Sequence, residues 1–220
     1  MQRTDFRLKT QPANNIVFPL YPIVDTGVCA ARGLDARALA EAFLRGGARL
    51  LQLRDKSPST AARLALADDI VARAHAAGAQ VVINDRADVA RLAGADGVHV
   101  GQEDLLVEDA RVILGASAIV GISTHTSAQV AAAAASSATY LAVGPVFGTT
   151  TKETGYTARA RALVREAAAT GKPVVAIGGI TLDRAHETIA AGAASLAVIT
   201  DLLTADPEGR VREFLRRIGG

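Results

Sequence analysis

The segment VVINDRADVARLAGADGVHVGQED, positions 81–104, carries two apolar runs separated by a short helical pattern. The first run ends on Asn84-Asp85. The second, Asp96-Gly97-Val98-His99-Val100, passes into Gly101-Gln102-Glu103-Asp104. Each run has the length of a strand and the stretch between them suits a helix. Read as neighbouring parallel strands, the two runs bring Asp85 and Asp104 to the same edge of one sheet.

The same local pattern recurs along the chain. Gly47–Leu53, Gly94–Val100, Ser137–Val143 and Gly192–Val198 each follow an Ala-rich helical stretch and open a strand at once. A glycine just past a helix supplies the left-handed cap that turns the chain. Alternation within these strands puts Leu51, Leu53, Val98, Val100, Leu141, Val143, Leu196 and Val198 on one face, toward covering helices. Gln52, His99, Ala142 and Ala197 fall on the other. Small and polar residues there suit a barrel interior that opens into a ligand site.

Further strands are expected at 20–24, 81–84, 118–122 and 174–177. Helices are expected near 35–46, 59–77, 86–93, 107–114, 127–136, 157–170, 182–191 and 207–217. Eight βα units of this spacing predict an α/β fold closed as a single (β/α)8 TIM barrel over residues 16–220, after an N-terminal tail at 1–15. An open doubly wound sheet is the other candidate, but the Gly-x-Gly-x-x-Gly fingerprint that would support it is absent.

Composition agrees. The chain has 220 residues, half of them hydrophobic, with 4% aromatics and no Trp, so aliphatic residues and Ala must build the core. The net charge is +2, and Arg and Lys are scattered, which argues against a nucleic-acid partner. No run has the length of a membrane span and the first fifteen residues lack a signal peptide's apolar region. With one Cys, Cys29, no internal disulfide can form. A cytoplasmic protein is expected, and a homodimer is compatible with the sequence.

Active sites of such barrels lie at the C-terminal strand ends. Sorting the polar segments accordingly assembles one rim. Arg54, Lys56 and Lys152 offer positive charge for a diphosphate. Asp85 and Asp104 suit Mg2+, which takes one or two carboxylates and completes its shell with phosphate and water. Gly178-Gly179 and Ile199-Thr200 fall where barrels bind a phosphate through backbone amides, and Thr149-Thr150-Thr151 can add hydroxyl donors. Two anion sites on one rim predict two phosphorylated small-molecule substrates, or one substrate with two phosphates. Plainer roles compete: Asn84-Asp85 and Asp104 are also good helix N-caps. Arg54-Asp55-Lys56 and 149–152 read equally as solvated loops, and His99 as a satisfied interior residue. His125 is divided between substrate contact and structure, while His75 and His186 fall on helix surfaces.

At QLRDK (52–56), INDRADVARLAGADGVHVGQEDL (83–105), GISTHT (121–126), GPVFGTTTK (144–152), AIGGIT (176–181) and AVIT (197–200) the chain closely resembles the thiamine-phosphate synthase family. The likeness runs from about Leu20 to Leu203. It implies a (β/α)8 barrel that joins hydroxymethylpyrimidine diphosphate to hydroxyethylthiazole phosphate, with Mg2+, giving thiamine phosphate and pyrophosphate. Carried over by motif, the resemblance implies that Gln52, Leu53, Arg54, Asp55, Lys56, Asn84, Ser123, Lys152 and Gly179 contact the pyrimidine diphosphate. Arg54, Lys56, Ser123 and Lys152 are the catalytic set. Thr149, Thr150, Thr151, Ile199 and Thr200 fall to the thiazole phosphate, and Asp85 and Asp104 to Mg2+. Thr200 stands where some relatives carry Ser, and the hydroxyl survives. The chemistry expected is a dissociative substitution that needs no protein nucleophile. A thiazole tautomerase on the same barrel is the main alternative, with His125 as its proton carrier. A non-catalytic phosphate-binding barrel and other phosphate-handling barrel enzymes are weaker ones.

Overall fold

The computed structural model describes residues 18–57, 59–148 and 157–219. The N-terminal tail and the segment Thr149–Lys152 lie outside them. Eight strands alternate with helices in chain order. They are β1 (Leu20–Asp25), α1 (Thr26–Ala31), α2 (Ala36–Arg45), β2 (Leu50–Arg54), α3 (Thr60–Ala76), β3 (Gln80–Asn84), α4 (Ala87–Leu92), β4 (Gly97–Val100) and α5 (Val107–Leu114). There follow β5 (Ile119–Thr124), α6 (Ser127–Ala135), β6 (Tyr140–Val143), α7 (Thr157–Ala168), β7 (Val174–Ile177), α8 (Leu182–Ala190), β8 (Ser195–Val198), a 3-10 turn at Thr200–Leu202 and α9 (Pro207–Ile218). All neighbouring strands pair in parallel and β1 pairs with β8, so the sheet is a closed barrel.

Local chemistry explains the helix starts. Asp35, Ser59, Thr126 and Asp206 each accept a hydrogen bond from a backbone N–H of the first turn, and Pro207 occupies the first turn of α9. The amphipathic α2 buries Leu39, Phe43 and Leu44, and α9 buries Val211 and Phe214. One helix, α1, is an addition to the expected set. It starts directly at the end of β1, where the Asp25 carboxylate caps Val28 N–H at 3.0 Å.

The two strand faces build two layers. Leu51, Leu53, Val98, Val100, Leu141, Val143, Leu196 and Val198 join the cluster between barrel and helices, as the alternation requires. Each such buried side chain contributes about 1.5–3 kcal/mol. The interior is a second, smaller cluster made of Tyr21, Ile23, Leu50, Val82, Ile119, Tyr140, Ala142, Val175 and Ala197. Tyr21 and Tyr140 meet edge to face at 6.0 Å between ring centroids.

Gly121 makes room for that contact. It lies on the inward parity of β5, and a Cβ there would fall 2.0 Å from Tyr140 Cζ. Gly121→Ala must therefore displace the Tyr140 ring. Overpacking of this kind costs typically about 1–3 kcal/mol, and a clash with a ring fixed on both sides belongs at the upper end. The expected result is a urea midpoint lowered by that amount at unchanged slope; an unchanged midpoint would contradict the packing described.

Candidate active site

The inward side chains at the upper end of the barrel open into two joined cavities. The deeper, of about 410 Å³, is lined by Tyr21, Ile23, Asp25, Gln52, Arg54, Asn84, His99, Ser123, Tyr140, Ala142, Val175, Ile177, Ala197 and Ile199. The outer, of about 580 Å³, is lined by Arg54, Lys56, Asn84, Asp85, His99, Gly101, Gln102, Glu103, Asp104, Ser123, His125 and Gln129. Arg54, Asn84, His99 and Ser123 belong to both. The deep cavity has apolar walls and a polar floor, which suits a small planar heterocycle. The outer one holds cations and carboxylates side by side, which suits a polyanion with a bound cation.

Strand register delivers these groups. Asn84 pairs in register with His99, and His99 with Gly121, two residues before Ser123. On β1, Tyr21, Ile23 and Asp25 share the inward parity, and so do Leu50, Gln52 and Arg54 on β2. Asp25 is 6% exposed and forms an ion pair with Arg54. One carboxylate thus caps α1 and aims the guanidinium of the next strand over the cavity.

Asp85 leaves β3 with φ of 64°, the one non-glycine with positive φ among the described residues. Asp tolerates this region better than most residues, yet it is uncommon and it concentrates at functional sites. The kink is held by Asp85 N–H donating to the His99 carbonyl at 2.8 Å and Arg86 N–H donating to the Asn84 carbonyl at 2.8 Å. Asp85 and Asp104 meet across the mouth. Burial raises the Asp85 carboxyl above the ordinary range, and the Asp104 charge and the hydrogen bond that Asp104 accepts from protonated Asp85 add to it. Lys56 and Arg54 pull it the other way. Neither aspartate caps a helix: α4 starts from Arg86 and α5 from Leu106, both without a side-chain cap. Asp104 Oδ2 instead accepts from Gly101 N–H at 2.8 Å, which shapes its own turn.

Below them lies a hydrogen-bonded chain. Gln52 Nε2 donates to the Tyr21 hydroxyl at 3.1 Å, and Tyr21 and Tyr140 hydroxyls are 3.2 Å apart. His99 reaches Tyr140 through Nδ1 at 3.0 Å and Ser123 Oγ through Nε2 at 2.8 Å. Burial pushes the His99 ring down to about 4, so it is neutral at physiological pH. His99 is thus the satisfied interior histidine that the alternation suggested. His125 lines the outer cavity, with Nδ1 against the Gly144 carbonyl at 2.6 Å.

The remaining expected residues are distributed as follows. The Leu53 side chain is buried toward the helices, so only its backbone can face a ligand. The Asp55 carboxylate accepts from Thr26 Oγ1 at 2.8 Å and from Ser57 N–H at 2.9 Å, which keeps it on the β2 loop, outside both cavity linings. Gly179, with φ of 65°, packs against Phe147, and its carbonyl accepts from Arg184 at 2.9 Å. Ile199 lines the deep cavity and Thr200 opens the 3-10 turn. Asp25, Tyr21 and Tyr140 were missing from the expected site. The signal for them was present, since all three share the inward parity of their strands.

Those two linked cavities have counterparts in sequence. The family described as "Thiamine monophosphate synthase" matches residues 20–202. A thiamine-phosphate synthase of Roseiflexus castenholzii is 40% identical over 206 residues, covering 90% of each chain. One from Mycobacterium tuberculosis is 43% identical over 194 residues, covering 83% of this chain and 87% of its own. Among solved structures, a thiamine phosphate pyrophosphorylase from Pyrococcus furiosus superposes with a TM-score of 0.80 at 29% identity, covering 91% of this chain and 95% of that one. A match along the whole barrel, from the first strand to the turn after the last, at this level of identity means that the chain belongs to the thiamine monophosphate synthase family.

Proposed function

We propose that this protein is a thiamine-phosphate synthase, a transferase that joins hydroxymethylpyrimidine diphosphate to hydroxyethylthiazole phosphate, or to its carboxylated form with loss of CO2, and releases pyrophosphate. The observation that carries the reading is the meeting of Arg54, Lys56, Asp85, Asp104 and Ser123 at the mouth of a cavity with the shape and polarity for a heterocycle. Relatives named thiamine-phosphate synthase, at 40–43% identity, favour it over a tautomerase.

In this reading the pyrimidine ring enters the deep cavity, between the apolar walls at Ile177 and Ile199 and the polar floor at Gln52. Its diphosphate lies in the outer cavity against Arg54, Lys56 and the Ser123 hydroxyl. The bond between the ring's methylene carbon and the diphosphate oxygen breaks, and the electron pair leaves with pyrophosphate. Arg54 and Lys56 hold the charge that grows there, with Lys152 as a third cation on the sequence-based expectation. The pyrimidine amino group feeds electron density into the methylene cation. The thiazole nitrogen, held through its own phosphate near Thr200 and Gly179, with Thr149, Thr150 and Thr151 expected to join them, then forms the new C–N bond. No side chain forms a covalent bond, and most of the rate comes from positioning and electrostatics.

The donor set suits Mg2+. Asp85 and Asp104 are two hard oxygen ligands facing one another at the outer cavity, and the Asp104 charge that helps to raise the Asp85 carboxyl is one a cation between them would offset. When bound there, Mg2+ would neutralise diphosphate charge as the leaving group departs. Among the described residues no group of three or more His, Cys, Asp or Glu converges as a cation cage, so water and substrate phosphate would complete the shell.

No helix among the described residues is long and apolar enough to cross a membrane. A cytoplasmic setting and the absence of a nucleic-acid or membrane partner go with this reading, as does a homodimer, whose test is the mass in solution. Pyrophosphate release tests the function directly. Release that requires both substrates and Mg2+, with thiamine phosphate formed in equal amount, is the expected result. No release from both substrates with metal, or metal-free isomerisation of the thiazole carboxylate phosphate, would overturn it.

A further inference from the structure

We infer that Gln52, Tyr21, Tyr140 and His99 form a one-way hydrogen-bond relay that fixes the His99 proton on Nε2 and so makes the Ser123 hydroxyl a donor toward the diphosphate. This rests on the reading of the outer cavity as the diphosphate site.

Donor counting gives the direction. Gln52 Nε2 donates to the Tyr21 oxygen. The Tyr21 O–H then needs an acceptor, and the Tyr140 oxygen is 3.2 Å away. The Tyr140 O–H is thereby left for His99 Nδ1, at 3.0 Å. A neutral imidazole that accepts at Nδ1 carries its hydrogen on Nε2, which donates to Ser123 Oγ at 2.8 Å. Both ring nitrogens are engaged by hydroxyls, Tyr140 and Ser123, and no carboxylate hydrogen-bonds this ring among the described residues. If Tyr140 donated to Tyr21 instead, the Tyr21 oxygen would receive two donors. Its own O–H would then lack a protein acceptor, in a side chain only 1% exposed. Buried donors are rarely left that way.

The direction matters for the ligand. With His99 donating to Ser123 Oγ, the Ser123 O–H swings into the cavity. An anion is stabilised by donors, whereas the reverse relay would present it with a lone pair of the same hydroxyl. His99 is on this account a positioning residue that acts through Ser123, as Tyr140 and Tyr21 act through His99.

The test is the tautomer itself. In isotope-labelled full-length protein, the two ring nitrogen shifts of His99 are read in long-range proton–nitrogen spectra. The signal is assigned among the four histidines by elimination with His75→Gln, His125→Gln and His186→Gln. Wild type is expected to carry the proton on Nε2 alone. Gln52→Glu places an acceptor where Gln52 donates and is expected to reverse the relay, moving the proton to Nδ1. Tyr140→Phe removes the donor to Nδ1. It is expected to give a mixture of tautomers and about a tenfold fall in kcat, the scale of one hydrogen bond, with the KM for thiazole phosphate unchanged. A wild-type proton on Nδ1, a doubly protonated ring, or a Gln52→Glu ring identical to wild type would overturn the relay. The wild-type spectrum decides on its own if a variant does not fold. A wild type that forms no thiamine phosphate would remove the functional reading while the spectrum still reports the direction.

Discussion

Replacing Asp104 with Ala is expected to lower kcat/KM by about a thousandfold, the largest effect of any single change to the rim. The magnitude follows from losing one of two hard ligands to a cation that offsets leaving-group charge; removing one preorganised electrostatic group from an active site typically costs about a hundred- to a thousandfold. Stability should move little. Asp104 contributes one exposed hydrogen bond to Gly101 N–H, worth about 1 kcal/mol. Against that, its charge helps to raise the Asp85 carboxyl. A carboxyl raised in the folded state adds stability at low pH, and that contribution is lost as pH rises through the folded value. At neutral pH the aspartate pair therefore opposes folding, and Asp104→Ala relieves it. The checks are steady-state kinetics over a Mg2+ titration and a urea melt at neutral pH. Normal turnover with normal Mg2+ dependence would remove the metal assignment.

The second large effect is expected at Arg54. Arg54→Ala removes a guanidinium that faces the diphosphate, and it strands the Asp25 carboxylate, whose side chain is 7% exposed. Breaking a buried pair from one side costs about 3–5 kcal/mol; here a third of the Arg54 side chain is exposed, so about 2 kcal/mol is the expected loss. On activity, a fall of about a hundredfold is expected, carried by both kcat and the KM for the pyrimidine diphosphate. Asp25→Asn separates the two contributions. The amide oxygen can still cap Val28 N–H, so α1 survives, but the guanidinium loses its charged anchor. Activity should then fall several-fold with a smaller change in the urea midpoint. Equal midpoints for wild type and Arg54→Ala would mean that Asp25 does not depend on its partner.

The barrel was legible because its signals are local. Repeated glycines after Ala-rich helices and strict two-residue alternation at Leu51-Gln52-Leu53 or Val98-His99-Val100 need no tertiary knowledge. The expected helix at 107–114 coincides with α5, and that at 127–136 ends one residue past α6. Helix α1 was not legible, since Thr26–Ala31 is six residues with a glycine in the first turn, too short to show a helical period, and it exists because Asp25 caps it from the strand end. The rim was legible as a set of residue types but not as a set of contacts. Asp55 looks like a cavity carboxylate beside Arg54, yet Thr26 and Ser57 engage it, which depends on α1 being there. Asp25 looks like a turn residue, and its part emerges only when β1 and β2 are in register, Asp25 opposite Arg54. The Tyr21–Tyr140 contact joins residues 119 apart in sequence, a distance over which no periodicity speaks.

The left-handed backbone at Asp85 also shapes what this position can become. Most side chains pay for that conformation in sterics; glycine does not, and asparagine tolerates it nearly as well as aspartate. The viable neighbours in mutational space are therefore few, and they sort by chemistry: Asn retains the shape without the charge, and Gly retains the shape without a side chain. Glutamate, the obvious conservative swap for a carboxylate, retains the charge but not the ease of the turn. A saturation library at this codon would consequently rank residues by backbone tolerance for folding and by carboxylate chemistry for turnover, two orders that agree at aspartate alone.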